Sequence, residues 1–179
     1  MKQQRKGIVV AMALTFVFLL LAPLPSTAKG KQMSMLIHLK TSLGHDDAQI
    51  CVAYNMIWAA LDEGLKVDVL VDADAINTFK VGWRGKDGIE EYPLPERLRR
   101  SLAEQFDVKP EEVPEKYGQF LRMLHNKGAN FYVNTVFLVL VKIEAKTGTT
   151  ENISPKFFKP VTLKEMIKLR TDADYYMAY

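Results

Sequence analysis

The hydrophobic positions of this chain change repeatedly between strand-like and helix-like spacing. Residues 32–41 (QMSMLIHLKT) form a short apolar segment that predicts a core strand. A helix is predicted directly after it, with Asp46 or Asp47 as its N-cap and Gly64 as the residue that ends it. Its buried face follows the i, i+3, i+4, i+7 spacing and comprises Ile50, Ala53, Tyr54, Ile57, Trp58 and Leu61. The valine-rich segment at residues 66–75 predicts the next strand, so these elements form a βαβ unit.

The middle of the chain predicts a loop followed by two helices. Residues 81–95 contain three glycines, two prolines and mixed charge, a composition typical of an exposed loop. Pro95 can begin a short helix, because a residue in the first turn needs no N–H donor. A second helix ends at Gly128 and carries its apolar residues at helical spacing: Tyr117, Phe120, Leu121 and Leu124.

The last third of the chain contains a strand with an unusual end. The segment GANFYVNTVF (residues 128–137) begins like a buried strand and then places Asn134 and Thr135 inside the apolar run. The residues that follow are β-branched enough to favour a strand by propensity. Thr162 and Glu165 have the spacing of a capping box, and residues 173–179 predict a final strand. Strands that alternate with helices predict a three-layer α/β/α sandwich with a mainly parallel sheet.

The first 28 residues have the layout of a secretory signal peptide. Lys2, Arg5 and Lys6 precede an uncharged apolar run, and Ser26 and Ala28 supply the small residues that signal peptidase requires. We therefore predict cleavage after Ala28, a single domain at residues 29–179, and a periplasmic or secreted protein. An uncleaved N-terminal anchor is the alternative, although the apolar run is shorter than the roughly 20 residues of a membrane-spanning helix.

Removal of the signal peptide changes the charge of the chain. The mature part would have 21 basic and 21 acidic residues, whereas the full chain has a formal charge of +3. A neutral mature chain has no electrostatic basis for binding nucleic acid or an anionic membrane. We therefore predict neither as a partner.

Polar residues stand at the predicted carboxyl ends of three strands. His45 lies in the loop after the first strand, Asp72 follows the second, and Asn134 and Thr135 end the third. Ligands of open parallel sheets bind beyond the carboxyl ends of the strands. We therefore predict a small-ligand site formed by His45, Asp72, Asn134 and Thr135.

The histidines have alternative interpretations. His45 can act as a proton shuttle or hydrogen-bond donor, or it can be a surface residue beside the capping aspartates. His45, Asp46 and Asp47 are consecutive and lack the spaced geometry of a metal site, so no metal is predicted. His38, within the first strand, and His125, in the last turn of a helix, are interpreted as structural.

Cys51 is the only cysteine, so the chain forms no internal disulfide. It lies one turn inside the first helix, where the helix N-terminus favours the nucleophilic thiolate. The alternative is a buried thiol that packs as a small hydrophobic group. No other catalytic or phosphate-binding motif is present, and no cofactor is predicted.

The order of these elements resembles the DsrE/DsrF-like family of sulfur-relay proteins across nearly the whole mature chain. The pattern is a strand, a loop with an acidic residue, an alanine-rich helix and a valine-rich strand with a small acidic loop, followed later by a G-x-x-x-x-V-C segment. Here the last segment reads GANFYVN, so Asn134 stands where that family has its reactive cysteine. A second family cysteine would fall near Phe137.

The resemblance implies a flavodoxin-like α/β/α sandwich that assembles into homo-oligomers, often trimers or hexamers. It also implies a break in the strand at Asn134 and a helix afterwards, for which Thr135 is the predicted N-cap. Sulfur-transferring members carry a persulfide on the cysteine at this position. Asparagine has no nucleophile, so persulfide chemistry at residue 134 is excluded.

These observations favour a binding function over catalysis. We expect an exported protein that is not an enzyme and that binds a small, sulfur-containing or anionic ligand in an accessory role linked to sulfur metabolism. Two alternatives remain: a persulfide carrier that uses Cys51, and a structural protein whose role is oligomeric assembly.

Overall fold

The strands of the chain assemble into one parallel sheet. In the computed structural model, which describes residues 31–82 and 88–179, they are β1 (Ser34–Leu39), β2 (Lys66–Val71), β3 (Asn130–Asn134), β4 (Lys159–Val161) and β5 (Tyr175–Ala178). Their order across the sheet is β4-β3-β2-β1-β5, and all neighbouring pairs are parallel. The predicted α/β class and parallel sheet are confirmed.

Seven α-helical segments connect the strands in the described ranges: α1 (Asp47–Asp62), α2 (Ile76–Phe79), α3 (Gly88–Glu91), α4 (Glu96–Gln105), α5 (Tyr117–Asn126), α6 (Thr135–Leu140) and α7 (Leu163–Asp172). Residues 32–179 cluster as one compact unit. Among the described residues, no helix combines the length and hydrophobicity needed to cross a membrane. The predicted signal peptide lies outside the described residues.

Helix α1 begins and ends where the sequence predicts. Asp46 is the N-cap, and its carboxylate accepts a hydrogen bond from the Gln49 N–H at 3.1 Å. Gly64 follows the helix with a φ of +77°, a conformation that glycine adopts without steric cost. The helix buries the predicted face against the sheet, although Ala60 replaces Leu61 among its fully buried residues.

The two faces of the sheet are covered very differently. Ile37 and Leu39 of β1 point into a large core that also contains the buried faces of α1 and α5. Leu36, on the opposite face, belongs to a much smaller cluster with Leu70 and Val161. Helix α7 supplies the helical side chains of this second cluster, yet α7 itself has no buried residue. This face of the sheet therefore remains only partly covered in the described part of the chain.

Three sequence predictions need correction. The segment 81–95 is not simply an exposed loop, because Ile89 and Leu94 are almost fully buried and α3 forms within it; residues 83–87 lie outside the described ranges. Strand β2 ends at Val71, and a 3-10 turn at Ala73–Ala75 replaces its predicted last residues. Strand β4 has three residues and was not predicted, since it depends on pairing with β3.

The predicted capping box of α7 is present. The Thr162 hydroxyl accepts from the Glu165 N–H at 3.4 Å, and the Glu165 carboxylate accepts from the Thr162 N–H at 2.7 Å. These bonds satisfy N–H groups that the first helical turn leaves without partners. Val161 and Met166 meet in the smaller cluster, as expected for a hydrophobic staple.

Removal of this cap should destabilise the covering helix. We expect Thr162→Ala to lower the free energy of unfolding by about 1 kcal/mol, because one N-cap hydrogen bond is lost. Urea denaturation followed by circular dichroism measures the change. Thr171→Ala, on the same helix, is the control, since its hydroxyl only bonds the Lys168 carbonyl. Equal losses in the two variants would contradict the capping role.

Candidate functional site

Four neighbouring strands each contribute one polar side chain to a row that runs from the middle of β5 to the carboxyl ends of β2 and β3. Tyr176 comes from β5, His38 from β1, Asp72 follows β2 and Asn134 ends β3. His38 lies on the opposite face of β1 from Ile37 and Leu39 because side chains alternate along a strand. The four residues therefore form a continuous row on the face covered by α7.

This row is connected by short polar contacts. The Tyr176 hydroxyl lies 3.0 Å from His38 Nδ1, and His38 Nε2 lies 3.4 Å from Asp72 Oδ2. Asp72 Oδ1 accepts from Asn134 Nδ2 at 2.8 Å and from the Ala73 N–H at 2.7 Å. The His38–Asp72 contact is longer than a well-formed hydrogen bond, and Nε2 is buried, so electrostatic attraction dominates there.

Asp72 is held in its charged form. Its pKa is lowered, chiefly by the contact with His38 and further by the N–H donors of Asn134 and Ala73, while partial burial opposes the shift. When the Tyr176 hydroxyl donates to Nδ1 of a neutral His38 ring, Nε2 carries the proton that faces Asp72. The row thus orients the histidine ring between a phenol and a carboxylate.

Asn134 uses both ends of its amide within the protein. Its Oδ1 accepts from the N–H groups of Val136 and Phe137 at 3.0 and 3.2 Å, which makes it the N-cap of α6. Its Nδ2 donates to Asp72, and only 5% of the residue is exposed. The predicted helix after the strand is confirmed, but the predicted cap at Thr135 is wrong. The Thr135 hydroxyl instead donates to the Val161 carbonyl at 3.1 Å and joins α6 to β4.

His45 belongs to a separate group of polar residues. Its Nδ1 lies 3.6 Å from Asp74, and 78% of its side chain is exposed. The pKa of Asp74 is lowered, chiefly by a hydrogen bond from the Ser42 hydroxyl. In the described residues, no hydrogen bond or ion pair joins His45 to Asp72 or Asn134. Of the four residues predicted as one site, Asp72 and Asn134 therefore lie in the row, His45 lies beside Asp74, and Thr135 bonds to the Val161 carbonyl.

Cys51 is half-buried on α1, away from the row of polar residues. Its Sγ accepts a weak contact from Asn55 Nδ2 at 3.8 Å. Burial raises the pKa of the thiol, although the contact with Asn55 acts in the opposite direction. A raised pKa reduces the thiolate fraction at neutral pH, and the thiolate is the nucleophilic form.

Arg170 lies in the last turn of α7, and its guanidinium reaches the Tyr176 end of the row. Its guanidinium carbon lies 3.6 Å from the centre of the Tyr176 ring, a cation–π arrangement. No carboxylate among the described residues lies within ion-pair distance of this guanidinium, which is exposed. Tyr176 thus links the two features: its ring supports Arg170, and its hydroxyl contacts His38.

His38, Tyr176 and Arg170 were not predicted as site residues. The alternation of β1 places His38 on the same face as Asp72 and Asn134, and this was the signal available in the sequence. Tyr176 and Arg170 reach the site only because β5 pairs with β1 and α7 crosses the sheet. Among the described residues, no group of three histidine, cysteine or acidic side chains has the arrangement of a metal site.

Comparisons with known proteins identify the fold. No family model matches the chain, and no curated protein matches it in sequence. The crystal structure of the YchN protein from E. coli superposes with a TM-score of 0.53 and 13% identity, and the alignment covers 83% of this chain and 100% of that chain. The chain has the DsrE-like fold. At this level of identity the similarity establishes the fold and nothing about the activity.

The double role of Asn134 gives a stability prediction. We expect Asn134→Ala to lower the free energy of unfolding by about 2 kcal/mol, because the α6 cap is lost and Asp72 loses a donor. Urea denaturation measures the effect. Asn77→Ala is the control, since Asn77 is exposed and its amide nitrogen bonds only to Asp74. A change in Asn134→Ala no larger than in the control would contradict the assigned role.

The lowered pKa of Asp72 predicts a pH-dependent contribution to stability. The contribution is present above the ordinary aspartate pKa of 3.8 and is lost as the pH falls through the lower pKa of the folded protein. We therefore expect the stability difference between the wild type and Asp72→Asn to be largest near neutral pH and to shrink in acid. Urea titrations from pH 7 to pH 2.5 test this. An equally pH-dependent difference for Asp62→Asn would contradict the assignment.

Proposed function

We propose that this chain is an exported accessory protein of the DsrE-like fold that binds a small anionic ligand, sulfur-containing in the simplest case, and carries no sulfur on a thiol of its own. The proposal rests mainly on one observation. An exposed guanidinium, without a carboxylate partner among the described residues, lies over the ring of Tyr176, whose hydroxyl contacts His38. His38 and its neighbour Asp72 lie near the carboxyl ends of β1 and β2, the end at which open parallel sheets bind ligands.

The position of Asn134 supports a function without a persulfide. The oxygen of its side chain already accepts from the first N–H groups of α6, so these donors are not free for a sulfur anion. The amide also has no nucleophilic atom. Asn134, at the last position of the row, therefore supports Asp72 and does not contact the ligand in this proposal.

The alternative carrier function at Cys51 has less support. The thiol has a raised pKa and is separated from the row of polar residues. A carrier would need a thiolate that a persulfide donor can reach. Neither the burial of Cys51 nor its contact with Asn55 provides this.

Direct binding measurements test the proposal. Isothermal titration calorimetry and thermal shift with thiosulfate, sulfite and methanesulfonate should show stabilisation of the mature protein; a ligand at 100 times its Kd adds about 2.7 kcal/mol. Tyr176→Ala should weaken binding at least about tenfold, because the guanidinium loses its support and His38 loses a partner.

Two control variants separate the alternatives. Cys51→Ala and His45→Gln should bind like the wild type, since neither residue belongs to the row. A loss of binding in Cys51→Ala would favour the carrier function, and a loss in His45→Gln would move the site to the cluster around Asp74. If none of these anions stabilises the protein, the proposal fails.

A further inference from the structure

Helix α7 divides its face of the sheet into two grooves of opposite character. Leu163, Met166, Ile167 and Arg170 lie on one side of the helix, at the i, i+3, i+4, i+7 spacing. Together with side chains of β1, β2 and β5, they line an apolar groove of about 400 Å³. The other side of α7 lines a charged groove of about 300 Å³ over β2 and β3.

The lysines and aspartates of this second groove contact one another. Lys66 Nζ lies 2.8 Å from Asp68, and Lys168 Nζ lies 2.7 Å from Asp172. Asn130 also donates to Asp68 at 3.1 Å. Glu165, the remaining charged residue of this groove, accepts hydrogen bonds from the Thr162 N–H and hydroxyl, so every charged side chain of the groove has a partner in the described part of the chain.

The apolar groove has the opposite composition. Leu36 and Leu70 form its floor on the sheet, and Leu163 and Ile167 form its rim on the helix. The two rim residues are 53% and 66% exposed, so apolar surface remains in contact with water. Burial of such surface by a ligand is favourable, at about 25 cal/mol per Å².

The polar groups of the apolar groove are few and lie together. They are Arg170, Tyr176 and His38, and Arg170 is their only group with a permanent charge. Its guanidinium has no carboxylate partner among the described residues, and its planar fork of donors matches a carboxylate or sulfonate. An apolar cavity with a few convergent polar groups is the usual form of a small-molecule site.

We propose that this groove binds an organic anion with an apolar body, whose carboxylate or sulfonate pairs with Arg170 and whose body lies on Leu36 and Leu70. This inference rests on the proposed ligand-binding function and specifies the class of ligand. The volume of about 400 Å³ suits a body of the size of one aromatic ring with a short substituent. The contacts of the row from Tyr176 to Asn134 then fix the position of the Tyr176 ring, and this ring supports the guanidinium of Arg170.

The experiment compares probes that differ in one property. Phenylacetate and benzenesulfonate have an apolar body and an anionic group, acetate and methanesulfonate have only the anionic group, and benzyl alcohol has only the apolar body. Calorimetry on the mature protein should give about 10- to 100-fold tighter binding for the first pair than for either other class. The gain over acetate and methanesulfonate comes from burial of one ring, and the gain over benzyl alcohol comes from the charge-assisted contact with Arg170.

Variants on the two sides of α7 test the location. Arg170→Gln should weaken phenylacetate binding at least tenfold and leave benzyl alcohol binding nearly unchanged, because only the charge-assisted contact is removed. Ile167→Lys should weaken benzyl alcohol binding, because it replaces apolar surface at the rim with a charged group. Lys168→Gln, which removes a cation from the opposite side of the same helix, should bind like the wild type.

The failures of the two proposals are distinguishable. If small anions bind but an aromatic ring adds no affinity, or if Lys168→Gln has the effect expected of Arg170→Gln, the groove assignment is overturned while the proposed function stands. If no anion of either kind binds, both fail. If no probe binds and Ile167→Lys converts an oligomer into monomers in sedimentation velocity, the groove is a contact between copies of this chain and the inference is overturned.

Discussion

The amide of Asn134 joins the end of β3, the first turn of α6 and the carboxylate of Asp72. Its oxygen caps α6, its nitrogen holds Asp72, and its backbone ends β3. Because a buried amide with an unsatisfied atom is costly, both contacts must form together. The orientation of Asp72 follows from this constraint, and with it the position of His38. The side chain of Asn134 therefore acts as a support for a polar network.

The uneven cover of the sheet explains where a ligand site can exist. One face packs against the large core, with residues such as Ile37 and Phe131 fully buried. The other face has α7 as its cover, and α7 has no buried residue of its own. A helix that lies on a sheet without burying its flanks leaves grooves on both sides. In one of these grooves the charged side chains have partners, and the other combines an apolar floor with Arg170, which has no carboxylate partner in the described ranges.

The prediction from sequence covered much of the fold, whereas the structure separates the residues that it grouped as one site. It placed His45 with Asp72 and Asn134 because all three follow strand ends, yet the loop after β1 directs His45 to Asp74. It interpreted His38 as structural because the residue lies inside a strand. Whether two side chains meet depends on the face of the sheet from which they project as well as on their distance from the strand end. His38 shares a face with Asp72; the alternation of β1 indicates that His38 lies opposite Ile37 and Leu39, and the register with β2 brings it beside Asp72.

Local patterns in the sequence determined the capped helix α1, the capping box of α7 and the alternation of strands with helices, since each depends on residues only a few positions apart. The family resemblance predicted the helix after Asn134, whereas the β-branched residues alone favour a strand. Only the tertiary structure decided the contacts among Tyr176, His38 and Asp72, and the place of Arg170 above them. These residues lie far apart in sequence, and their proximity depends on the pairing of β5 with β1 and on the path of α7 across the sheet. No pattern within a short window records such a pairing.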